Sequence, residues 1–156
     1  MILRPATPAD AAAMTPLQNV IIAIGGTTAY QKPRREAEVL ADYVTDSDVI
    51  CTHVALDQGG GLLGFQTLGL WQGESHIGTF VDPGRQAGGI GTRLFALTCE
   101  AARAAGVGRI VATIRADNRP GLAYYTRIGF RDAGGDPGWA LDDGRVVGRV
   151  NWWFEL

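Results

Sequence analysis

The sequence predicts an α/β domain in which one mixed sheet carries helices on both faces. Three observations point there. Val49 to Leu56 and Leu62 to Leu70 are strand-like runs joined by Asp57-Gln58-Gly59-Gly60-Gly61, the pattern of an antiparallel hairpin. His76 to Val81, Gly91 to Ala105 and Ile110 to Ile114 then read as strand, helix and strand. The last of these is nearly continuous apolar sequence, the mark of a parallel strand covered on both faces. With the terminal segments added, the expectation is six or seven strands and about four helices in a single domain over residues 1–156.

In chain order, Ile2 to Arg4 is a first strand. Thr7-Pro8-Ala9-Asp10 supplies a cap, a proline at the first helical position and an acid at the third, so a helix starts there. Ala12, Leu17, Val20, Ile21 and Ile24 are expected along its apolar side, with Pro16 as a kink and Gly25-Gly26 as the stop. Pro33 reopens helix, and Val39, Leu40, Tyr43 and Val44 recur at helical spacing up to Asp46. The connector from Gly25 to Lys32 is read either as a plain linker or as a functional loop.

After the hairpin, Trp71-Gln72-Gly73 turns the chain into the strand ending at Val81. The helix from Gly91 presents Leu94, Leu97, Ala101 and Ala105 as its stripe, and Gly106 ends it. Asn118 to Ile128 is the last helix. Phe130-Arg131 opens a strand, Gly134 to Gly138 reads as a loop, and Val146 to Leu156 is the terminal strand. Trp152, Trp153 and Phe154 put aromatic surface on both of its faces, which core, a helix or a second subunit has to cover.

Composition narrows the partners. A net charge of −2 from 14 basic and 16 acidic residues leaves no basic patch for nucleic acid. No apolar run approaches the roughly 20 residues that span a bilayer, so no membrane partner is expected and a cytoplasmic location follows. Cys51 and Cys99, the only cysteines among 156 residues, lack metal or redox spacing and read as small buried apolar groups.

The chemistry concentrates in Val81-Asp82-Pro83-Gly84-Arg85-Gln86-Ala87-Gly88-Gly89-Ile90-Gly91-Thr92. A glycine-rich loop opening a helix turns successive backbone N–H groups toward one point and binds anions there. A Walker A loop would need Lys-Ser or Lys-Thr after its final glycine, whereas Gly91 precedes Thr92-Arg93. A dinucleotide fingerprint would need glycine at Leu94, although Asp117 at a strand end could mimic its ribose-binding acid. What fits is QxxGxG, carried by Gln86, Gly89 and Gly91. One helix and one strand later comes Asn118-Arg119-Pro120-Gly121-Leu122-Ala123-Tyr124-Tyr125-Thr126-Arg127-Ile128-Gly129-Phe130.

These two motifs, in this order, resemble the acetyl-CoA loop and the NxxAxxxYxxxGF signature of the GNAT superfamily of N-acyltransferases, with Gly121 where alanine is commoner. The resemblance implies a GNAT fold, acetyl-CoA as co-substrate and no metal. It implies that Gln86, Ala87, Gly88, Gly89, Ile90, Gly91 and Thr92 hold the diphosphate. It also implies that Thr79, Phe80 and Val81, splayed from Ile110 to Ile114, pair with the pantetheine amides, with an N–H near Phe80 or Val81 facing the thioester oxygen.

By the same resemblance, Asn118 caps its helix and lies near the pantetheine arm, and Tyr125 returns a proton to the departing thiolate, its phenol having an ordinary pKa of about 10. Capping alone would also account for Asn118, and core packing for Tyr125. The base that activates the amine is sought in His76 or Glu74, two residues apart on one face of a strand, or in a chain of waters. His53 is a weaker candidate. The connector from Gly25 to Lys32 would lie over the acceptor pocket.

Leu62-Leu63-Gly64-Phe65 and the aromatic last strand look most like the phosphinothricin-type branch. That branch acetylates small amines of the amino-acid kind, usually with His where this chain has Tyr125. The partners implied are a small-molecule amine and a second copy of the chain in a homodimer. The alternative is a non-catalytic acyl-CoA-binding module.

Overall fold

A computed structural model describes residues 1–156, the side chain of Ala87 apart. Strands β1 (Ile2–Pro5), β2 (Val49–Leu56), β3 (Leu62–Trp71), β4 (Glu74–Val81), β5 (Arg109–Arg115), β6 (Arg131–Asp136) and β7 (Arg149–Glu155) form one sheet. Helices α1 (Ala11–Ile24), α2 (Glu36–Leu40), α3 (Ile90–Ala104) and α4 (Arg119–Arg127) cover it. The strand order is β1-β2-β3-β4-β5-β7-β6. β4 and β5 are parallel and every other pair is antiparallel. These seven strands and four helices fall within the six or seven strands and about four helices expected from the sequence.

Two core layers sandwich the sheet. On one face Met14, Ile21, Val39 and Tyr43 pack on Val54, Phe65 and Phe80, with the two phenylalanine rings stacked 4.8 Å apart. On the other, Phe95, Cys99 and Ala102 of α3 meet Leu68, Ile77 and β5, and Tyr125 and Phe130 join them. Burying side chains of this size supplies most of the stabilisation, on the order of 1.5–3 kcal/mol for each.

The structure corrects several expected details. α1 buries Ala11, Met14, Gln18, Ile21 and Ile22, while Val20 and Ile24 are 51% and 64% exposed, so its inward stripe is rotated from the expected one. A fully buried Gln18 explains the error, because counting apolar residues alone moves the face away from it. The helix runs through Pro16. α3 is rotated likewise: Thr98 and Cys99 face inward with Leu94, whereas Leu97 and Ala101 are only half-buried and Ala105 is exposed.

The second helix starts at Glu36, where the Glu38 carboxylate accepts from the Arg35 N–H at 3.1 Å, and ends as a π-helical turn over Ala41–Thr45. Gly134 to Asp136, expected in a loop, belong to the edge strand β6, whose register shifts between Asp132 and Gly135. The last strand begins at Arg149, and Val146 makes only an isolated bridge to Ala140. Its aromatic residues are largely covered within the chain. Trp152 and Phe154 join the core layer of α3, and the Arg109 guanidinium lies 3.6 Å over the Trp153 ring. Among the described residues, no helix is long and apolar enough to cross a membrane.

Candidate active site

The site begins where the sheet parts. β4 stays paired with β3 up to Gly64↔Val81, and β5 with β7 along its whole length. Between β4 and β5, however, pairing is confined to Ser75↔Ile110 and His76↔Val111. Beyond His76 the main-chain groups of β4 that face β5 have no ladder partner, and such groups need one. The gap opens into a cavity of about 1070 Å³ that reaches both faces of the sheet. Thr79, Phe80 and Val81 line it, as do Gln86, Gly89, Gly91 and Thr92.

Past Val81, Asp82 Oδ1 accepts from the Gly84 N–H at 2.9 Å and the Asp82 carbonyl from the Arg85 N–H at 2.8 Å, which folds the loop back on itself. A short 3-10 turn spans Gln86–Gly88, and Gly89 takes a left-handed φ of 70°, a conformation glycine adopts without strain. The first α-helical bond of α3 runs from the Arg93 N–H to the Gly89 carbonyl at 3.1 Å. The N–H groups of Ile90, Gly91 and Thr92 therefore lack an acceptor within the helix and carry its positive dipole end. Ile90 itself is core, 4% exposed beside Leu94, so it can offer only its backbone. Gly88 lines a separate, shallower surface pocket with Arg85. The Ala87 side chain lies outside the described residues.

Gly91 is glycine for a visible reason. A Cβ there would come within 2.9 Å of the Tyr124 ring, whose hydroxyl donates to the Gly91 carbonyl at 2.8 Å. Tyr124 thus locks α4 to the start of α3, and burial pushes its phenol up to about 12. Tyr125, 8% exposed, lines the cavity with its hydroxyl 3.0 Å from Thr79 Oγ1. Burial raises its pKa and the Thr79 hydrogen bond partly offsets the rise, so it holds its proton at neutral pH.

Asn118 caps α4 by accepting from the Gly121 N–H at 2.9 Å, and its Nδ2 donates to the Thr27 carbonyl at 3.2 Å. A Cβ at Gly121 would fall on that amide, which accounts for glycine at this position of the motif. The connector is pinned a second time by Arg115, 7% exposed, which donates to the Thr28 carbonyl at 3.3 Å and grips Asp117 through bonds of 2.9 and 2.8 Å. Asp117 is thereby committed to Arg115, which holds its pKa below the usual carboxylate range, and is not free for a ribose. Thr27, Thr28, Ala29 and Tyr30 line the cavity on the α1 side.

His76 lines the cavity with its ring edge-on to Trp71 at 5.1 Å. Burial lowers its pKa from the ordinary value while Glu74 raises it, and burial wins, so the imidazole is neutral at pH 7. Glu74 is not brought to the cavity: its carboxylate pairs with Arg109 at 3.3 Å and stands 4.0 Å from His76. His53 is buried between β1 and β3, away from the cavity. Sequence reasoning missed two groups. One is the pair Asp42 and Tyr43 on the α2 side of the cavity, which no motif marks. The other is Gln66 and Thr98, both 0% exposed, whose signal was a polar residue at a core position of a strand and of a helix.

Residues 19–130 match the model of the acetyltransferase (GNAT) family, and the chain belongs to that family. Over 84 residues, 53% of its length, it is 38% identical to a mycothiol acetyltransferase of Clavibacter michiganensis. The match covers only 28% of that protein's length. Among solved structures, the phosphinothricin acetyltransferase of Sinorhizobium meliloti in complex with acetyl-CoA superposes with a TM-score of 0.88 at 21% identity, over 99% of this chain and 88% of that one. The ribosomal-protein-alanine N-acetyltransferase of Brucella melitensis does so with 0.87 at 23%, over 100% of both. At these identities the likeness is one of fold.

Proposed function

We propose that the chain transfers the acetyl group of acetyl-CoA to the primary amine of a small molecule, amino-acid-like or related, by direct attack within a ternary complex. The observation that carries this reading is the parting of β4 from β5, with the amide-lined start of α3 at one end of the cavity and the pinned connector at the other. In this reading the N–H groups between Gln86 and Thr92 bind the diphosphate. Thr79, Phe80 and Val81 pair with the pantetheine amides, and Asn118 fixes the wall opposite.

Neutral His76 takes the proton that the neutral amine loses on attack, directly or through water. The amine nitrogen attacks the thioester carbon, and a β4 N–H near Phe80 or Val81 stabilises the oxyanion. The C–S bond then breaks, and Tyr125 protonates the leaving sulfur. Acetyl-CoA incubated with a panel of small primary amines should release free thiol in proportion to acetylated amine. Binding of acetyl-CoA with no release on any amine would replace this reading with that of a non-catalytic acyl-CoA module.

A further inference from the structure

The hydroxyl of Tyr125 sits at the end of a partly buried polar chain whose bond directions can be worked out as far as Thr79. A carbonyl oxygen only accepts, so Tyr124 spends its single proton on Gly91 O, 2.8 Å away. Its phenol oxygen must therefore accept from the Gln66 side chain at 3.2 Å, and the group facing it is the Nε2 amine. At the other end of the amide, Oε1 takes the hydroxyl proton of Thr98 at 2.6 Å. The second Nε2 proton goes to Thr79 Oγ1 at 2.9 Å. Thr79 is thus an acceptor toward Gln66, and its own proton can go to the Tyr125 oxygen at 3.0 Å, a pair in which either hydroxyl could donate.

We infer that Gln66 and Thr79 are positioning residues that make Tyr125 a donor toward the cavity: Thr79 gives its proton to the phenol oxygen, leaving the phenol's own proton for the departing thiolate. This rests on the acid role proposed above for Tyr125. In the transfer the phenol O–H bond breaks and an S–H bond forms on coenzyme A. The charge left on the phenolate oxygen meets the Thr79 hydroxyl, which the Gln66 N–H polarises, and water later returns a proton. A buried phenolate without such a donor would be costly, since desolvation disfavours the charged form. Gln66 and Thr98 are 0% exposed, and a buried amide is tolerated because each of its groups is paired.

Thr79→Val keeps the shape and the β4 backbone but removes the hydroxyl. It should lower kcat about tenfold or more, the scale of a lost hydrogen bond to a charged group, with KM for acetyl-CoA within about twofold. Thr79→Ser should restore most of the rate. In a Tyr125→Phe background, Thr79→Val should add less than about twofold, because it acts through the missing phenol. Full turnover in Thr79→Val, or an equal loss in both backgrounds, overturns the inference while leaving a crippled Tyr125→Phe to support the acid role. Full turnover in Tyr125→Phe overturns both.

Discussion

The two ends of the cavity are built on different terms. The end at α3 is made of main chain: a left-handed Gly89, unpaired N–H groups over Ile90, Gly91 and Thr92, and a strand edge released by β5. The end at α1 and α2 is made of side chains, among them Tyr30, Tyr43, Trp71 and His76, brought together from distant positions. A backbone cradle can hold an anion whatever the side chains, and it demands glycine where contacts are close. A side-chain pocket can be rebuilt without touching the cradle, which is how one fold serves many acceptors.

This contrast can be broken first at Gly91. Gly91→Val puts bulk into the Tyr124 ring and the start of α3, and it should weaken coenzyme A binding on the order of tenfold or more in calorimetry, with the KM of the amine at saturating donor little changed. A matching loss for both substrates would mean that the two ends are not separable.

His76 tests the opposite end. Its lowered pKa means that the free imidazole, the form able to accept a proton, prevails above about pH 6.5 and is lost as pH falls through the depressed value. The kcat/KM profile should therefore fall on the acid side with an apparent pKa below the ordinary one. His76→Asn should lower turnover by about tenfold and erase that limb, and an unaltered limb would assign the base to water.

The smallest effect is expected at Asn118, which joins the two ends. Asn118→Ala removes a helix cap worth roughly 1 kcal/mol and frees the Thr27 carbonyl. A modest fall in thermal midpoint should accompany a severalfold rise in the KM of the amine, and an unchanged KM would show that Arg115 holds the connector alone.

The same contrast sets what could be read from sequence. The cradle was legible because glycine spacing around Gln86, Gly89 and Gly91 encodes backbone geometry directly, and Asn118 and Tyr125 fall at fixed intervals after it. The β2–β3 hairpin and the parallel β4–β5 step followed from run lengths and turn residues. Gln18 and Thr98 defeated the helix faces, because a buried polar residue reverses the sign that periodicity relies on. Gly134 and Gly135 hid an edge strand, since glycine in a strand looks like a turn until its partner Val150 is seen. The Gln66 chain was invisible for a related reason: its partners Thr98 and Tyr124 lie 32 and 58 residues away.

In the proposed function, backbone amides between Gln86 and Thr92 hold the diphosphate of coenzyme A. Calorimetric titration of the protein with coenzyme A and, separately, with pantetheine, which lacks the diphosphate, tests it most directly. Saturable binding of coenzyme A is expected, at least about tenfold tighter than that of pantetheine, the scale of an anion at a favourable helix terminus. Equal affinity for the two, or no heat from coenzyme A at millimolar concentration, would contradict it.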